Sequence, residues 1–283
     1  MFLALCLLCA CGRHTESVFL LDTVVTIDSD LSSDELTDVL AEVSEAADEC
    51  YNKPFDEIGS TLLTDMFAKG EILRETYGEE IDFRIGALTR LWNISKGTSG
   101  LPSSTEIQAA LEDKSFYDPG AIAKGYALDQ AYKTLAKTNS KYTIISAESS
   151  ILLYGEKPGG ELWKTAVKDP LTPGSYIGYI ETEAVFISTS GNSERFIEIE
   201  GERYGHIIDT ETGYPAKTDL AAVTVIVPTD VLDGGIMSDF LSTLIFMRGT
   251  AGLDTFLGYD GFTFIAIDNT GKVYGNQELF PID

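Results

Sequence analysis

Cysteine is nearly absent from the bulk of this chain. Of four, Cys6, Cys9 and Cys11 fall at the extreme N-terminus and only Cys50 lies beyond. If Cys11 is lipidated and the segment before it removed, no internal disulfide is possible. Histidine is scarcer, with His14 and His206 alone, which excludes a histidine metal cluster. Positive charge is in deficit, since 20 Lys and Arg against 45 Asp and Glu leave a net charge of −25. A general binder of nucleic-acid backbones is thereby excluded, because such affinity comes largely from clustered Lys and Arg. An anionic ligand would also be hard to hold without a cation. The apolar run Phe2 to Ala10 is far too short to span a bilayer. Neither G-x-x-x-x-G-K-[ST] nor G-x-G-x-x-G occurs, and there is no internal repeat or low-complexity linker.

What remains is ordinary globular material. With 283 residues, 44% hydrophobic and 23% charged, the chain can build one large domain or two small ones around an ample core. The apolar run ends in Leu8-Cys9-Ala10-Cys11-Gly12, which resembles the bacterial lipobox, whose cysteine is lipidated and becomes the new N-terminus. The expected organisation is a signal peptide over 1–10, a lipidated tether over 11–17 and a folded body over 18–283. That places the body at a bacterial cell membrane, facing outside the cytoplasm. A plain secretory signal is the alternative.

Periodicity in the body reads as α+β. Val18 to Asp28 reads as one strand, and Ser32 with Glu35 as a capping box for a helix with apolar face Leu36, Val39, Leu40, Val43 and Ala47. A second helix runs from Thr61 to Tyr77 and stops at Gly78. Ser103 with Glu106 caps a third, and a fourth covers Ile122 to Leu135. Strands dominate from Tyr142, with a hairpin at Glu200-Gly201-Glu202 running into Tyr204–Ile208, a buried strand Val223–Val227, a helix Ile236–Met247 and a late strand Phe262–Ile267. Strands framed by helices without steady alternation argue for a single α+β domain.

Four segments carry candidate chemistry. Tyr117-Asp118-Pro119-Gly120-Ala121-Ile122-Ala123-Lys124-Gly125-Tyr126 places an acid, a tight turn and a lysine before a helix. A helix start offers unpaired N–H groups to an anion such as phosphate, so the segment reads as a nucleotide loop or as an ordinary loop-to-helix junction. Asp239 and Thr243 are four apart on a helix. They form a partial oxygen shell for Mg²⁺ or a polar stripe on an exposed face. His206 heads Gly205 to Pro215, and a lone histidine is more often structural than a base. A Ser-His-Asp hydrolase lacks its G-x-S-x-G elbow. Ile187-Ser188-Thr189-Ser190-Gly191-Asn192 is a hydroxyl-rich turn.

Together these segments resemble the ApbE family of flavin transferases. Asp118 to Tyr126 matches its D-x-[GS]-[AGT]-x-[AG]-[KE]-G-[YF], Ile187 to Gly191 its I-S-T-S-G, and His206 to Pro215 its H-[IV]-[IL]-D-x-x-T-G-x-P. Val223 to Pro228 with Asp239 and Thr243 matches its V-T-V-x-x-P strand and following helix. Ile85 to Trp92 resembles its G-P-L-x-x-L-W, and Phe19 to Ile27 its opening strand. The resemblance implies an ApbE-like domain with a mainly antiparallel sheet flanked by helices. It implies Mg²⁺ held by Ala121, Asp239 and Thr243, and FAD contacted by Leu21, Glu80, Ile81, Asp82, Asp118, Lys124 and Ile208. The implied activity is transfer of FMN from FAD to a Thr or Ser hydroxyl of an extracytoplasmic protein, with release of AMP. Targets would be redox-complex subunits or FMN-binding domains, and His206 is the candidate base. Hydrolysis of FAD to FMN and AMP, or FAD binding without turnover, are the alternatives. One departure stands out: where the family carries Gly-Gly-Asn or Gly-Gly-Asp, this chain has Ala147-Glu148-Ser149-Ser150. A second is Tyr51 to Asp56, where a flavin-covering loop is expected to be shortened.

Overall fold

The structure is a computed structural model describing residues 14–94, 100–192 and 195–282. Cys11 and the apolar run before it lie outside the described residues. Eight strands form one antiparallel sheet: β1 (His14–Leu20), β2 (Thr23–Ser29), β3 (Tyr142–Ala147), β4 (Ser150–Gly155), β7 (Val185–Gly191), β10 (Leu220–Pro228), β11 (Thr263–Asp268) and β12 (Val273–Gly275). They lie side by side in that order. Two hairpins stand apart, β5 (Trp163–Lys168) with β6 (Tyr176–Thr182) and β8 (Phe196–Ile199) with β9 (Glu202–Gly205). The helices are α1 (Asp34–Asn52), α2 (Thr61–Tyr77), α3 (Gly86–Trp92), α4 (Ser104–Glu112), α5 (Ala123–Leu135), α6 (Gly234–Arg248) and α7 (Leu253–Phe256). The α+β expectation, with a mainly antiparallel sheet flanked by helices, is met.

Both faces of the sheet are covered, and the sequence of β10 shows why. Alternate residues point to opposite faces. Val223, Val225 and Val227 join Phe186, Phe264 and the helices in the main core, while Ile226 joins Ile187, Ile265 and Ile267 beneath β5–β6. Such a strand reads as a continuous apolar run rather than an alternation. The α6 helix is the centre of the main core, buried on every side from Gly234 to Phe246.

Local expectations fared unevenly. The α2 helix and its Gly78 stop are found, as is the Ser103–Glu106 capping box on α4. The single strand over Val18–Asp28 is instead two, paired in register Leu20↔Thr23 around the turn residues Leu21 and Asp22. Both turn residues have positive φ, 54° and 57°, a geometry usually signalled by Asn-Gly, so a Leu-Asp pair does not announce it. The first strand begins at His14, so residues 14–17 belong to the sheet rather than to a tether. The Ser32–Glu35 capping box does not form. Ser33 is the N-cap, and its hydroxyl is drawn off to donate to the Glu16 carboxylate on β1. The strand expected over Tyr204–Ile208 stops at Gly205.

Asp129 on α5 anchors the start of α6 by accepting the N–H groups of Gly235 and Ile236, both at 2.8 Å. Burial lifts its pKa to about 7, opposed by those two N–H bonds and by Lys133 and reinforced by Asp233. The folded state therefore holds this proton between about pH 4 and pH 7 while the unfolded chain releases it, and stability falls as pH rises through that window. Asp129→Asn keeps one acceptor oxygen and loses the titration. Its denaturation midpoint should be flatter over pH 4–7 than that of wild type; parallel pH dependences would refute the assignment.

Candidate active site

Asp118 opens the loop that leads into α5. Its Oδ1 accepts the Gly120 N–H at 2.7 Å, and its Oδ2 accepts the hydroxyl of Thr89. The Ile122 and Ala123 N–H groups donate to the Pro119 carbonyl at 2.9 and 2.8 Å. The Gly125 N–H donates to Asp239 Oδ2 at 3.0 Å. The helix-start N–H groups of Ile122, Ala123 and Gly125 thus serve the protein itself, which corrects the expectation that they wait for an anion. Positive charge at the loop comes instead from the Lys124 ammonium.

Lys124 Nζ lies 3.7 Å from Asp239 Oδ1. Asp239 is 4% exposed and Thr243 9%, so the reading of these residues as an exposed stripe is overturned. They face β4 and β7 across a layer of hydroxyls. Ser150 Oγ lies 3.5 Å from Asp239 Oδ1, Ser188 joins Ser150 at 3.2 Å and Ser238 at 2.9 Å. Ser190 meets Ser242 at 2.9 Å and Thr243 at 3.0 Å. The I-S-T-S-G segment therefore packs its serines against α6.

Asp118, Ala121, Lys124, Asp239, Thr243 and His206 line one cavity of about 860 Å³, at the upper end of the range for small-molecule sites. Ile81, Asp82 and Ile208 also line it, whereas Leu21 and Glu80 do not appear in its wall. Leu21 is one residue from Asp22, which does. Glu80 is held by Arg248 at 2.5 Å and 3.0 Å. Burial alone would raise its pKa, but Arg248 holds it below the ordinary carboxylate value. Asp82 is likewise tied to Arg84 and Lys114. Glu148 and Ser149, which stand where the family carries Gly-Gly, line the cavity, whereas the sequence reading missed Thr89, Arg195 and the β5–β6 hairpin that closes one side from Thr165 to Tyr176. Thr89 lies within the Ile85–Trp92 segment but was given no role there, and only the fold brings Arg195 and the hairpin to the cavity.

His206 lines the cavity and is partly buried. Burial pushes its pKa down to about 4, with the Arg195 carbonyl opposing and the Lys124 and Arg195 charges adding to the fall. Its Nδ1 lies 3.2 Å from the Arg195 carbonyl. The rest of its motif is a turn: Asp209 Oδ1 accepts the N–H groups of Glu211 and Thr212, and the Gly213 carbonyl accepts Trp92 Nε1 at 2.8 Å.

Among the described residues, no three His, Cys, Asp or Glu side chains converge as a metal cage. A buried carboxylate beside a hydroxyl and the Ala121 loop is nonetheless a donor set that suits Mg²⁺, which keeps few protein oxygens and takes the rest from phosphate and water. Lys124 already presents a cationic group to Asp239, so positive charge is accommodated at that carboxylate.

Residues 20–261 match the ApbE family. The chain belongs to that family. A relative from Klebsiella pneumoniae (strain 342) known as FAD:protein FMN transferase is 30% identical over 190 residues, covering 60% of this chain and 58% of its own length. The ApbE protein of Thermotoga maritima superposes with a TM-score of 0.78 at 24% identity, covering 93% of this chain and 96% of that one. The flavin transferase ApbE of Vibrio cholerae gives 0.76 at 20% identity, with 94% and 97% covered. These ApbE structures share the fold.

The motif glycine Gly125 is required by packing. A Cβ there would lie 2.1 Å from the Gly235 carbonyl oxygen and 2.8 Å from Asp239 Cβ. Gly125→Ala should push α5 off α6 and cost about 1–3 kcal/mol. An unchanged urea midpoint would show that the helices separate freely.

Proposed function

We propose that this ApbE-family chain transfers FMN from FAD to a Thr or Ser hydroxyl of a target protein, releasing AMP. The observation that carries this reading is the convergence of Asp118, Lys124, Asp239, Thr243 and His206 on one cavity of dinucleotide size. The family membership and the relatives' activity support it. Mg²⁺ would be held by Asp239, Thr243 and the Ala121 carbonyl, and bound there it neutralises charge on the phosphates.

In the reaction, the acceptor oxygen attacks the phosphorus on the FMN side of the pyrophosphate. The bond from that phosphorus to the bridging oxygen breaks, and the bridging oxygen leaves on AMP. Lys124 faces the phosphates, and positioning with electrostatics supplies most of the rate. His206 takes the proton of the acceptor hydroxyl. The Arg195 carbonyl can only accept, so Nδ1 carries the ring proton and Nε2 keeps its lone pair. With its pKa near 4 the ring is neutral at ordinary pH and ready to accept a proton, though as a weak base.

Incubating the purified chain with FAD, Mg²⁺ and an FMN-binding domain bearing an acceptor Thr should give a fluorescent target and one AMP per flavin. Free FMN and AMP with an unlabelled target would mean a hydrolase; FAD bound and unchanged would mean a binder. Asp239→Asn should lower turnover by about 100-fold or more. Full turnover of that variant at limiting Mg²⁺ would remove the metal assignment.

We also propose that Cys11 is lipidated and holds the protein at the outer face of a bacterial cell membrane. The support is the lipobox-like Leu8-Cys9-Ala10-Cys11 after an apolar run. Cys11→Ser should release the protein from the membrane fraction, and wild-type protein recovered soluble without an acyl label would end the idea.

A further inference from the structure

The side chains of Glu148 and Arg195 stand in the cavity wall without a part in the reaction above. Glu148 occupies the two-residue turn between β3 and β4, in register Ala147↔Ser150, with φ at 56°. Its Oε2 accepts the hydroxyl of Thr23 at 3.0 Å and faces Arg195 Nη2 at 3.3 Å. The same Nη2 donates to the Asp22 carbonyl at 3.3 Å, in the β1–β2 turn. One guanidinium therefore joins two neighbouring hairpin turns, both built on left-handed backbone that persists only where its surroundings hold it.

The other end of Arg195 meets His206. Its carbonyl accepts both the His206 backbone N–H and the ring Nδ1–H, each at 3.2 Å. The backbone bond continues the β8–β9 ladder and holds the carbonyl along the strand. Its tilt toward the imidazole depends on how the residue is anchored at its side chain. We infer that the Glu148–Arg195 pair is a positioning device for His206, fixing the carbonyl that selects the Nδ1–H tautomer and leaves Nε2 as the ring's acceptor nitrogen. Glu148 is the member that makes this possible: a Gly-Gly turn at the same place offers Arg195 no carboxylate. The consequence for turnover rests on the reading of His206 as the base, whereas the tautomer itself does not.

The chain has only two histidines, so nitrogen NMR of the full chain labelled with ¹⁵N-histidine reads His206 directly, with His14 as internal reference. Wild type should show one protonated and one unprotonated ring nitrogen, with the proton at Nδ1. Arg195→Ala and the isosteric Glu148→Gln should move both shifts toward an averaged tautomer mixture. Arg195→Lys, which keeps the charge but not the fork, should fall between. In the transfer assay kcat should drop about tenfold with KM for FAD changed less than about twofold. An unaltered Nδ1–H tautomer in folded Arg195→Ala would show that the ladder alone holds the carbonyl and would overturn the inference. Loss of the tautomer with kcat unchanged would sustain the positioning role and remove His206 from the reaction.

Discussion

Two helices meet backbone to backbone where Gly125 of α5 faces Gly235 of α6, and the site is organised around that crossing. A Cβ on either residue would lie within 2.3 Å of the other's carbonyl oxygen. Because the helices approach so closely, the Asp239 carboxylate reaches across to the Gly125 N–H, and Asp129 reaches back to the first N–H groups of α6. Each helix thus satisfies the open end of the other, with buried donors that would otherwise cost about 1–3 kcal/mol each left paired. The contact that packs the core also fixes the position of the carboxylate. Fold and site share one geometric requirement here.

The hydroxyl layer between the sheet and α6 follows from the same closeness. Ser150, Ser188 and Ser190 on the strands, with Ser238, Ser242 and Thr243 on the helix, are small enough to let α6 lie on β7 and polar enough to solvate a buried acid. Apolar residues of similar size would pack as well but take the Ser150 hydroxyl from Asp239, leaving that buried charge only the Gly125 N–H and Lys124. Backbone strain gathers at the neighbouring end of the sheet, where Leu21, Asp22 and Glu148 all take positive φ. Asp22 and Glu148 both line the cavity, so strained turns sit at its edge.

Much of the fold could be read from periodicity, because α1, α2, α4, α5 and α6 carry clear apolar faces or end signals and the later strands are rich in β-branched residues. The β1–β2 turn was hidden because Leu21 and Asp22 adopt a conformation their residue types do not announce. The failed cap at Ser32 has a different cause: Ser33 found a partner on β1, a tertiary contact beyond the reach of local pattern. In the site, Asp118, Lys124, Asp239, Thr243 and His206 were legible because each lies in a motif whose spacing survives in one dimension. Their surroundings were not. The burial of Asp239 contradicts the exposed-stripe reading suggested by its polar neighbours, and Arg195 becomes part of the site only through the turns it spans.

The net charge of −25 suggested a site hostile to anions, yet several acids in and beside the cavity are paired with cations. Arg84 and Lys114 hold Asp82, Arg195 holds Glu148, Lys124 faces Asp239, and Arg248 holds Glu80. Those pairs soften the local field, and the most buried of these acids is Asp239. As long as Lys124 faces it, that buried carboxylate has a counter-charge. A pyrophosphate entering the cavity competes for the same ammonium, and any turn of Lys124 toward the phosphates strips Asp239 of its partner at a position 4% exposed. Breaking a buried pair by removing one member costs about 3–5 kcal/mol. Binding of the anion and arrival of a second cation at Asp239 are thus thermodynamically linked, each making the other more favourable. On the proposed reading, a divalent ion at Asp239 would supply the counter-charge that Lys124 withdraws when it turns to the phosphates.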